Sequence, residues 1–162
     1  MESFVTLQQT MQQTIEQQVR QLAGWYGDGQ DGSCPTLDQW RRIFERPADS
    51  PVTLINFFKL RSTADYAGQA TSGGADDSGQ TAFERYSAVS MPAMERAGGR
   101  FLLVGPFEAT FMGQDEDWDL IAVGSYPDTA SLLALYSDPD YRAVYPHRTA
   151  ACARQKVVVC SG

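Results

Sequence analysis

The sequence has little histidine, little cysteine and a shortage of positive charge. Its 162 residues include one histidine and three cysteines, and 13 Lys plus Arg stand against 20 Asp plus Glu, which gives a net charge of −7. A negative field of this kind repels phosphate backbones and anionic lipid. We therefore expect no nucleic-acid partner.

The three cysteines, Cys34, Cys152 and Cys160, are far apart and form no C-x-x-C pair. Zinc knuckles and redox dithiols need closely spaced pairs, so neither is predicted, and a single histidine provides no H-x-x-x-H spacing for a metal. The nucleotide patterns G-x-G-x-x-G and the P-loop are missing as well, so we expect no cofactor. An odd number of cysteines is typical of reducing compartments.

Long apolar runs are also missing. No window approaches the ~18 apolar residues of a membrane span. The first residues, MESFVTLQQT, lack the basic and apolar regions of a signal peptide. We expect a cytoplasmic protein without a membrane partner. Its 43% hydrophobic and 11% aromatic residues supply the material for a packed core.

Residues 1–50 are predicted to form a helical extension with a linker. From Phe4 to Tyr26, apolar residues recur every three or four positions, which predicts a helix with one apolar stripe and a Gln-rich opposite face. A Gln-rich aggregation segment is the alternative. The stretch GDGQDGSCP is a flexible connection by its composition, and a short helix is predicted over residues 36–45.

Residues 51–162 are predicted to form a second unit with the order strand, helix, strand, strand, helix, strand. The predicted strands are 52–60, 100–112, 118–126 and 156–160, with a bulge or an edge at Gly105 and Pro106. The predicted helices are 81–97, 128–136 and 138–153. Thr81 and Glu84 match a capping box for the first of these helices. The polar, glycine-rich residues 62–80 before it predict a lid or a disordered insertion.

This order predicts an α+β, ferredoxin-like βαββαβ fold, with an antiparallel sheet and helices on one face. The first strand, VTLINFFKL, is apolar on both alternating faces. The face without helices therefore needs a cover, and the simplest cover is a homodimer that packs sheet to sheet.

Four blocks resemble an uncharacterised bacterial family of the dimeric α/β-barrel superfamily. They are PVTLINFFKLR (51–61), FERYSAVSMPAMERAGGRFLLVG (83–105), EDWDLIAVGSYPD (116–128) and SDPDYRAVYPHRTAA (137–151). The resemblance implies a dimeric α/β barrel. It also places the chain among relatives that resemble cofactor-free monooxygenases, lactone isomerases, polyketide cyclases, aldoxime- or cyanohydrin-processing enzymes and haem-dependent enzymes. The N-terminal helix has no counterpart in this family.

His147, the single histidine, lies beside Arg148 in the block that resembles the family. Imidazole titrates near neutral pH and is a natural general acid or base. The alternative is a histidine at a helix end, in solvent or at the dimer seam. In a haem-binding version of the fold, His147 is the axial ligand.

Two polar residues of the first strand are further candidates. Asn56 interrupts an apolar strand, so its amide either ties the strand to a neighbouring loop or faces a polar pocket. Arg61 closes the strand on the opposite alternation, where it either holds a ligand carboxylate or is a solvated strand end. Asp119 is expected to pair with Arg100 or Arg148 across the dimer, in a structural role.

Aromatic residues with polar tips are expected to converge between the helices and the sheet, although core packing explains each one separately. Such a group gives an apolar pocket with a few hydrogen-bonding groups, the usual form of a small-molecule site. The residues are Tyr86 on the first helix of this unit, Trp118 and Tyr126 on one face of the third strand, and Tyr141 and Tyr145 on the last helix.

The first functional expectation is a cofactor-independent enzyme acting on a small apolar, aromatic or polyketide-like metabolite, by proton transfer, cyclisation, isomerisation or monooxygenation. His147 would move a proton while Asn56, Tyr86 or Tyr126 holds a carbonyl or enolate oxygen. The expected substrate contacts are Trp118, Arg61, Tyr141 and Arg148. The alternative is a non-catalytic ligand-binding or protein-interaction module whose N-terminal helix docks a partner.

Overall fold

A computed structural model describes residues 3–69, 71–74 and 76–162. The chain divides into two compact units, Met1–Ala48 and Asp49–Gly162. Each unit is described by itself below. The predicted mobile loop 62–80 contains two residues, 70 and 75, that lie outside the described ranges.

The N-terminal unit is a pair of helices, α1 (Phe4–Tyr26) and α2 (Leu37–Phe44). The helix predicted from the apolar stripe is confirmed over its whole length. A capping box begins α2. The side chain of Thr36 accepts a hydrogen bond from the backbone N–H of Gln39, and the side chain of Gln39 accepts one from the backbone N–H of Thr36. Arg41 of α2 pairs with Glu16 of α1 at 2.7 Å, which joins the two helices.

The C-terminal unit has the ferredoxin-like fold. Its elements are β1 (Val52–Leu60), α3 (Gly79–Arg96), β2 (Arg100–Pro106), β3 (Leu120–Tyr126), α4 (Thr129–Ser137), α5 (Pro139–Ala151) and β4 (Cys152–Ser161). The four strands form one antiparallel sheet in the order β2-β3-β1-β4. This order places β1 and β3 in the centre and matches the fold predicted from the sequence.

The helices lie on one face of the sheet. Phe58 of β1 and Ala122 of β3 are buried in one cluster with Ala82 of α3 and Ala151 at the end of α5. Because successive residues of a strand point to opposite sides, the odd-numbered residues of β1 belong to the other face. We call the two sides the helix face and the far face.

The far face carries an apolar row that crosses all four strands. Leu103, Val123, Ile55 and Val158 lie side by side in the strand register. Leu103 is 55% exposed and Val158 is 40% exposed. The sequence-based expectation of an apolar second face is therefore confirmed.

The start of α3 differs from the predicted one. The helix begins at Gly79, its cap is Ser78, and the side chain of Ser78 accepts a 3.0 Å hydrogen bond from the backbone of Thr81. The predicted capping box of Thr81 with Glu84 is therefore wrong. The close approach of the backbone explains the earlier start, because a Cβ on Gly79 would lie 2.1 Å from the carbonyl oxygen of Arg61.

The strands also differ at their ends. β2 stops at Pro106 instead of residue 112, and β3 starts at Leu120 instead of residue 118. One further backbone hydrogen bond, from Phe107 to the carbonyl of Asp119 at 3.0 Å, closes the base of the loop that joins the two strands. β4 starts earlier than predicted, at Cys152. The bulge in β2 lies between Phe101 and Leu103. The other alternative predicted at Gly105 and Pro106, an edge, is confirmed, because β2 is an edge strand of the sheet.

Candidate functional site

A cavity of about 70 Å³ lies between the helix face of the sheet and helices α3 to α5. Its wall is mostly apolar, with Leu54, Phe58 and Met94 among the lining residues. Two lining residues, Met91 of α3 and Val104 of β2, are 42% and 49% exposed, so the cavity opens between these two elements. The polar residues on the wall are Asn56, Tyr86, Ser87, Ser90, Tyr126, Tyr136, Tyr141 and Arg148.

The buried side chain of Arg148 is the charged group of this wall. It projects from α5 and is 4% exposed. Its Nε donates to Oε1 of Gln155 at 2.8 Å, and its Nη1 donates to the hydroxyl of Tyr86 at 3.1 Å. The guanidinium also lies over the rings of Phe58 and Tyr145, at 4.9 and 5.3 Å from their centroids. These contacts fix the position of the cation.

Arg148 has no carboxylate within ion-pair distance among the described residues. Burying a cation costs of the order of several kcal/mol unless partners offset it. Burial opposes the charge, but the pKa of Arg148 lies well above its ordinary value, and a guanidinium stays protonated in proteins. The rings add cation–π stabilisation of ~0.5–2 kcal/mol each. The site therefore keeps a permanent positive charge at the cavity wall.

Two tyrosine hydroxyls extend the hydrogen-bond network that begins at the guanidinium of Arg148. The hydroxyls of Tyr86 and Tyr141 are 2.9 Å apart. Because a guanidinium only donates, Tyr86 accepts from Arg148, and either hydroxyl of the Tyr86–Tyr141 pair can be the donor of the bond between them. Burial raises the pKa of Tyr141 well above its usual value, and burial likewise raises the pKa of Tyr126. These phenols are therefore neutral at physiological pH.

Asn56 faces the cavity, and its amide bonds to a neighbouring strand and not to a loop. It lines the cavity from β1, and its Nδ2 donates a 3.0 Å hydrogen bond to the carbonyl of Ala122 on β3. The amide nitrogen thus ties two central strands together. The amide oxygen is the remaining group that a ligand can use.

Five of the eight predicted site residues lie on this cavity: Asn56, Tyr86, Tyr126, Tyr141 and Arg148. Sequence patterns single out neither Gln155 nor Tyr136. Gln155 has no motif around it, and Tyr136 ends an apolar helix that resembles ordinary core. Their positions follow from the register of β4 against β1 and from the packing of α4.

Trp118 and Arg61 lie away from the cavity. The Trp118 ring is 5.5 Å from that of Phe57, on the far face, and the guanidinium of Arg154 lies 4.2 Å from its centroid. The prediction that Trp118 shares a face with Tyr126 is wrong, because the strand alternation does not extend back beyond Leu120. The backbone of Arg61 bonds to Ala151 and Gly79, and its side chain does not line the cavity.

His147 lies in a different place, which we call the outer cluster: Tyr66, Asp77, Arg85 and His147. Its Nδ1 is 2.7 Å from the hydroxyl of Tyr66, which Arg85 approaches at 3.4 Å, and Arg85 pairs with Asp77 at 2.5 Å. Adjacent helical residues point in different directions, so the inward Arg148 turns its neighbour outward. The expected position of His147 in the helix–sheet pocket is therefore wrong.

The pKa of His147 is lowered by burial and by the charge of Arg85, against a smaller opposing effect of Asp77. The imidazole is therefore neutral at pH 7. The expected pairing of Asp119 with Arg100 or Arg148 across the dimer stays a prediction, since it involves a second chain. Asp119 accepts from the backbone of Leu60 at 2.7 Å and lies 3.4 Å from Lys59.

Metal and membrane features are not seen in the part of the chain that the structure describes. No group of three His, Cys, Asp or Glu side chains in ranges 3–69, 71–74 and 76–162 is placed to hold a metal ion. Over the same ranges, none of the helices combines the length and the apolar character that a membrane span requires.

A protein-family profile described as "Domain of unknown function (DUF1330)" matches residues 76–162, which is more than half of the chain. The chain belongs to the DUF1330 family. The matched region runs from just before α3 to the end of β4, so it includes Tyr86, Tyr141 and Arg148. It leaves out β1 and therefore Asn56.

Solved structures of unknown function share the fold of this DUF1330 chain. The crystal structure of methylated RPA0582 protein is 28% identical with a TM-score of 0.71, and the match covers 80% of this chain and 93% of that one. A second structure of RPA0582, from Rhodopseudomonas palustris, is also 28% identical, with a TM-score of 0.69 and coverage of 80% and 95%.

A third structure is described as a dimeric protein of unknown function and ferredoxin-like fold from Bacteroides fragilis. It is 15% identical with a TM-score of 0.37, over 72% of this chain and 100% of that one. No curated protein matches the chain.

Proposed function

We propose that this protein binds a small, largely apolar or aromatic metabolite in the cavity between helices and sheet. One observation carries the proposal: in an otherwise apolar wall, Arg148, Tyr86 and Asn56 bring polar groups to one small volume. An apolar cavity with a few convergent polar groups is the usual form of a small-molecule site.

The polar groups suit an oxygen atom with negative charge. Arg148 donates only, so it stabilises a carbonyl or enolate oxygen placed beside it. The Tyr86 hydroxyl adds a second hydrogen bond when Tyr141 supplies the proton of their shared bond. Proton transfer by His147 has no support from this arrangement, since the imidazole lies in the outer cluster. Binding without catalysis is therefore favoured over the enzyme, and in a catalytic version Tyr86 is the proton donor.

The size of the cavity limits the ligand. Its volume of about 70 Å³ is below the ~150 Å³ that an engineered apolar cavity uses to bind benzene. A ligand with one ring therefore fills the cavity and extends through the mouth at Met91. Displacement of the Met91 side chain costs little because methionine is flexible.

The test is a titration with small aromatic carbonyl compounds, followed by amide NMR shifts. We expect shifts at residues lining the cavity and none on the far face. Ser90→Leu fills the cavity from α3 and should abolish binding, whereas Ala88→Leu, on the exposed side of the same helix, should leave it unchanged. Equal binding by both variants would contradict the proposed site.

A sheet-to-sheet homodimer is the second part of the proposal. The apolar row on the far face supports it, because a second copy would cover Leu103, Val123, Ile55 and Val158 in both chains. The cytoplasmic location expected from the cysteines stays a prediction, and Cys34, Cys152 and Cys160 are all free thiols.

A further inference from the structure

We infer that the ligand is a carboxylic acid with an apolar or aromatic body, and that its carboxylate is the missing counter-ion of Arg148. This inference rests on the proposed ligand site and specifies its chemistry. It draws on the charge balance of the cavity, the hydrogen bonds of one side chain and the character of the surrounding wall.

Burial without a carboxylate partner distinguishes Arg148 from Lys59, Arg85 and Lys156. Lys59, Arg85 and Lys156 each pair with a carboxylate, at 3.0, 2.5 and 3.0 Å. The chain has 20 Asp plus Glu, but within the described ranges none of them reaches the buried guanidinium. A buried charge normally has a partner of opposite sign, and here a ligand would have to supply it.

The hydrogen bonds of Arg148 leave part of its fork free. Nε is used by Gln155 and Nη1 by Tyr86, whereas Nη2 has no acceptor among the described residues. The guanidinium lines the cavity. A planar fork of N–H groups matches the two oxygens of a carboxylate better than it matches one neutral carbonyl oxygen.

The apolar side chains of the cavity wall indicate what the rest of the acid, apart from its carboxylate, consists of. Leu54, Phe58, Phe83 and Met94 surround the same volume. A polyanion would bring a second negative charge to a wall whose one cation among the described residues is Arg148. A monocarboxylate with one ring or a short chain places its charge at Arg148 and its carbon atoms against the apolar wall.

The test compares benzoate with benzamide, which has nearly the same shape without the charge. The full-length chain is titrated with each compound by calorimetry and by amide NMR. We expect benzoate to bind at least about tenfold more tightly than benzamide, as a charge-assisted bidentate contact requires. Arg148→Met should remove this difference, and Arg154→Met, whose guanidinium lies on the far face, should preserve it.

Arg148→Lys keeps the charge and loses the fork, so it should weaken benzoate several-fold and remains informative if Arg148→Met does not fold. Equal affinities of the wild type for benzoate and benzamide, with shifts at cavity residues, would overturn the acid and leave the proposed site standing. Wild-type chain that shows no shift at cavity residues with either compound would overturn both. Unchanged discrimination in a folded Arg148→Met or Arg148→Lys variant would show that another group selects the anion.

Discussion

The guanidinium of Arg148 on α5 donates a 3.1 Å hydrogen bond to the hydroxyl of Tyr86 on α3. The same hydroxyl lies 2.9 Å from that of Tyr141, so three polar groups form a chain inside the helix layer. A buried chain of this kind stabilises the fold only where its members are satisfied. Its members also line the cavity, so the chain connects the stability of the unit to its proposed ligand site.

Replacing Arg148 by methionine should leave the fold intact. Methionine removes the cost of burying a charge that has no carboxylate partner among the described residues, and it keeps most of the side-chain volume. We therefore expect the free energy of unfolding of Arg148→Met, from urea denaturation, to equal or exceed that of the wild type. A loss above ~3 kcal/mol would instead show that the cation is needed for folding. Arg148→Ala is the control, since it leaves a void and should destabilise.

Tyr86→Phe should destabilise the unit by ~1–3 kcal/mol, because it leaves the buried hydroxyl of Tyr141 without this partner. Tyr141→Phe should cost a similar amount for the same reason. The double variant should cost less than the sum of the two, since removal of both partners leaves no orphaned hydroxyl in this pair. Urea denaturation of the three variants measures this coupling. Strict additivity would show that the 2.9 Å contact contributes nothing.

The pKa of His147 should lie below its usual value of ~6.5, because burial and Arg85 both lower it. Arg85→Gln removes the positive charge and leaves the attraction of Asp77, so the pKa should rise. Imidazole NMR gives a clean reading, since the chain has one histidine. Arg96→Gln, on the same helix but paired with Asp138, is the control. An unchanged pKa in Arg85→Gln would contradict the described cluster.

The lowered pKa of His147 also determines how the free energy of unfolding changes with pH. The folded chain favours the neutral imidazole more than the unfolded chain does, so unfolding takes up a proton in the window between the two pKa values. This contribution is present above the unfolded value of ~6.5 and is lost as the pH falls toward the folded value. We expect Arg85→Gln to reduce this loss in urea titrations between pH 7 and the onset of carboxylate protonation.

The proposed dimer predicts different effects for two neighbouring residues of β4. Val158 lies on the far face and Val159 on the helix face, with exposed fractions of 40% and 45%. Val158→Lys places a charge in the sheet-to-sheet contact and should shift the mass in sedimentation equilibrium from twice 17.9 kDa to 17.9 kDa. Val159→Lys should remain dimeric. A monomeric wild type, or loss of the dimer in both variants, would contradict this interface.

Elements with strong local signals were predictable from the sequence. The spacing of apolar residues predicts α1 and β1 to the residue, and α4 and α5 begin next to the predicted positions, with Asp128 and Asp138 as their N-caps. The start of α3 could not be predicted from the sequence, because Ser78 and Thr81 are both good N-cap residues and lie one turn apart. Tertiary packing of Gly79 against the carbonyl of Arg61 decides between them.

The candidate site was predictable only in part, because local spacing shows which residues share a face but not which face is buried. Alternation along β1 places Asn56 with the apolar helix face, and helical spacing groups Tyr141 with Tyr145. The sequence shows that His147 and Arg148 point in different directions, but it does not show which of them points inward. Both residues were expected at the site, although charged residues are rarely buried without a partner. In the structure the arginine is inside, where aromatic rings and the Tyr86 hydroxyl accommodate its charge.

The most direct test of the account is a crystal structure of the full-length chain grown with benzoate. The account predicts a carboxylate in the cavity, within hydrogen-bond distance of Nη2 of Arg148 and of the Tyr86 hydroxyl, with the ring against Phe58 and Met94. It also predicts that His147 stays bound to Tyr66. A cavity without ligand at saturating benzoate, or benzoate bound elsewhere with Arg148 turned toward a carboxylate of the protein, would contradict the account.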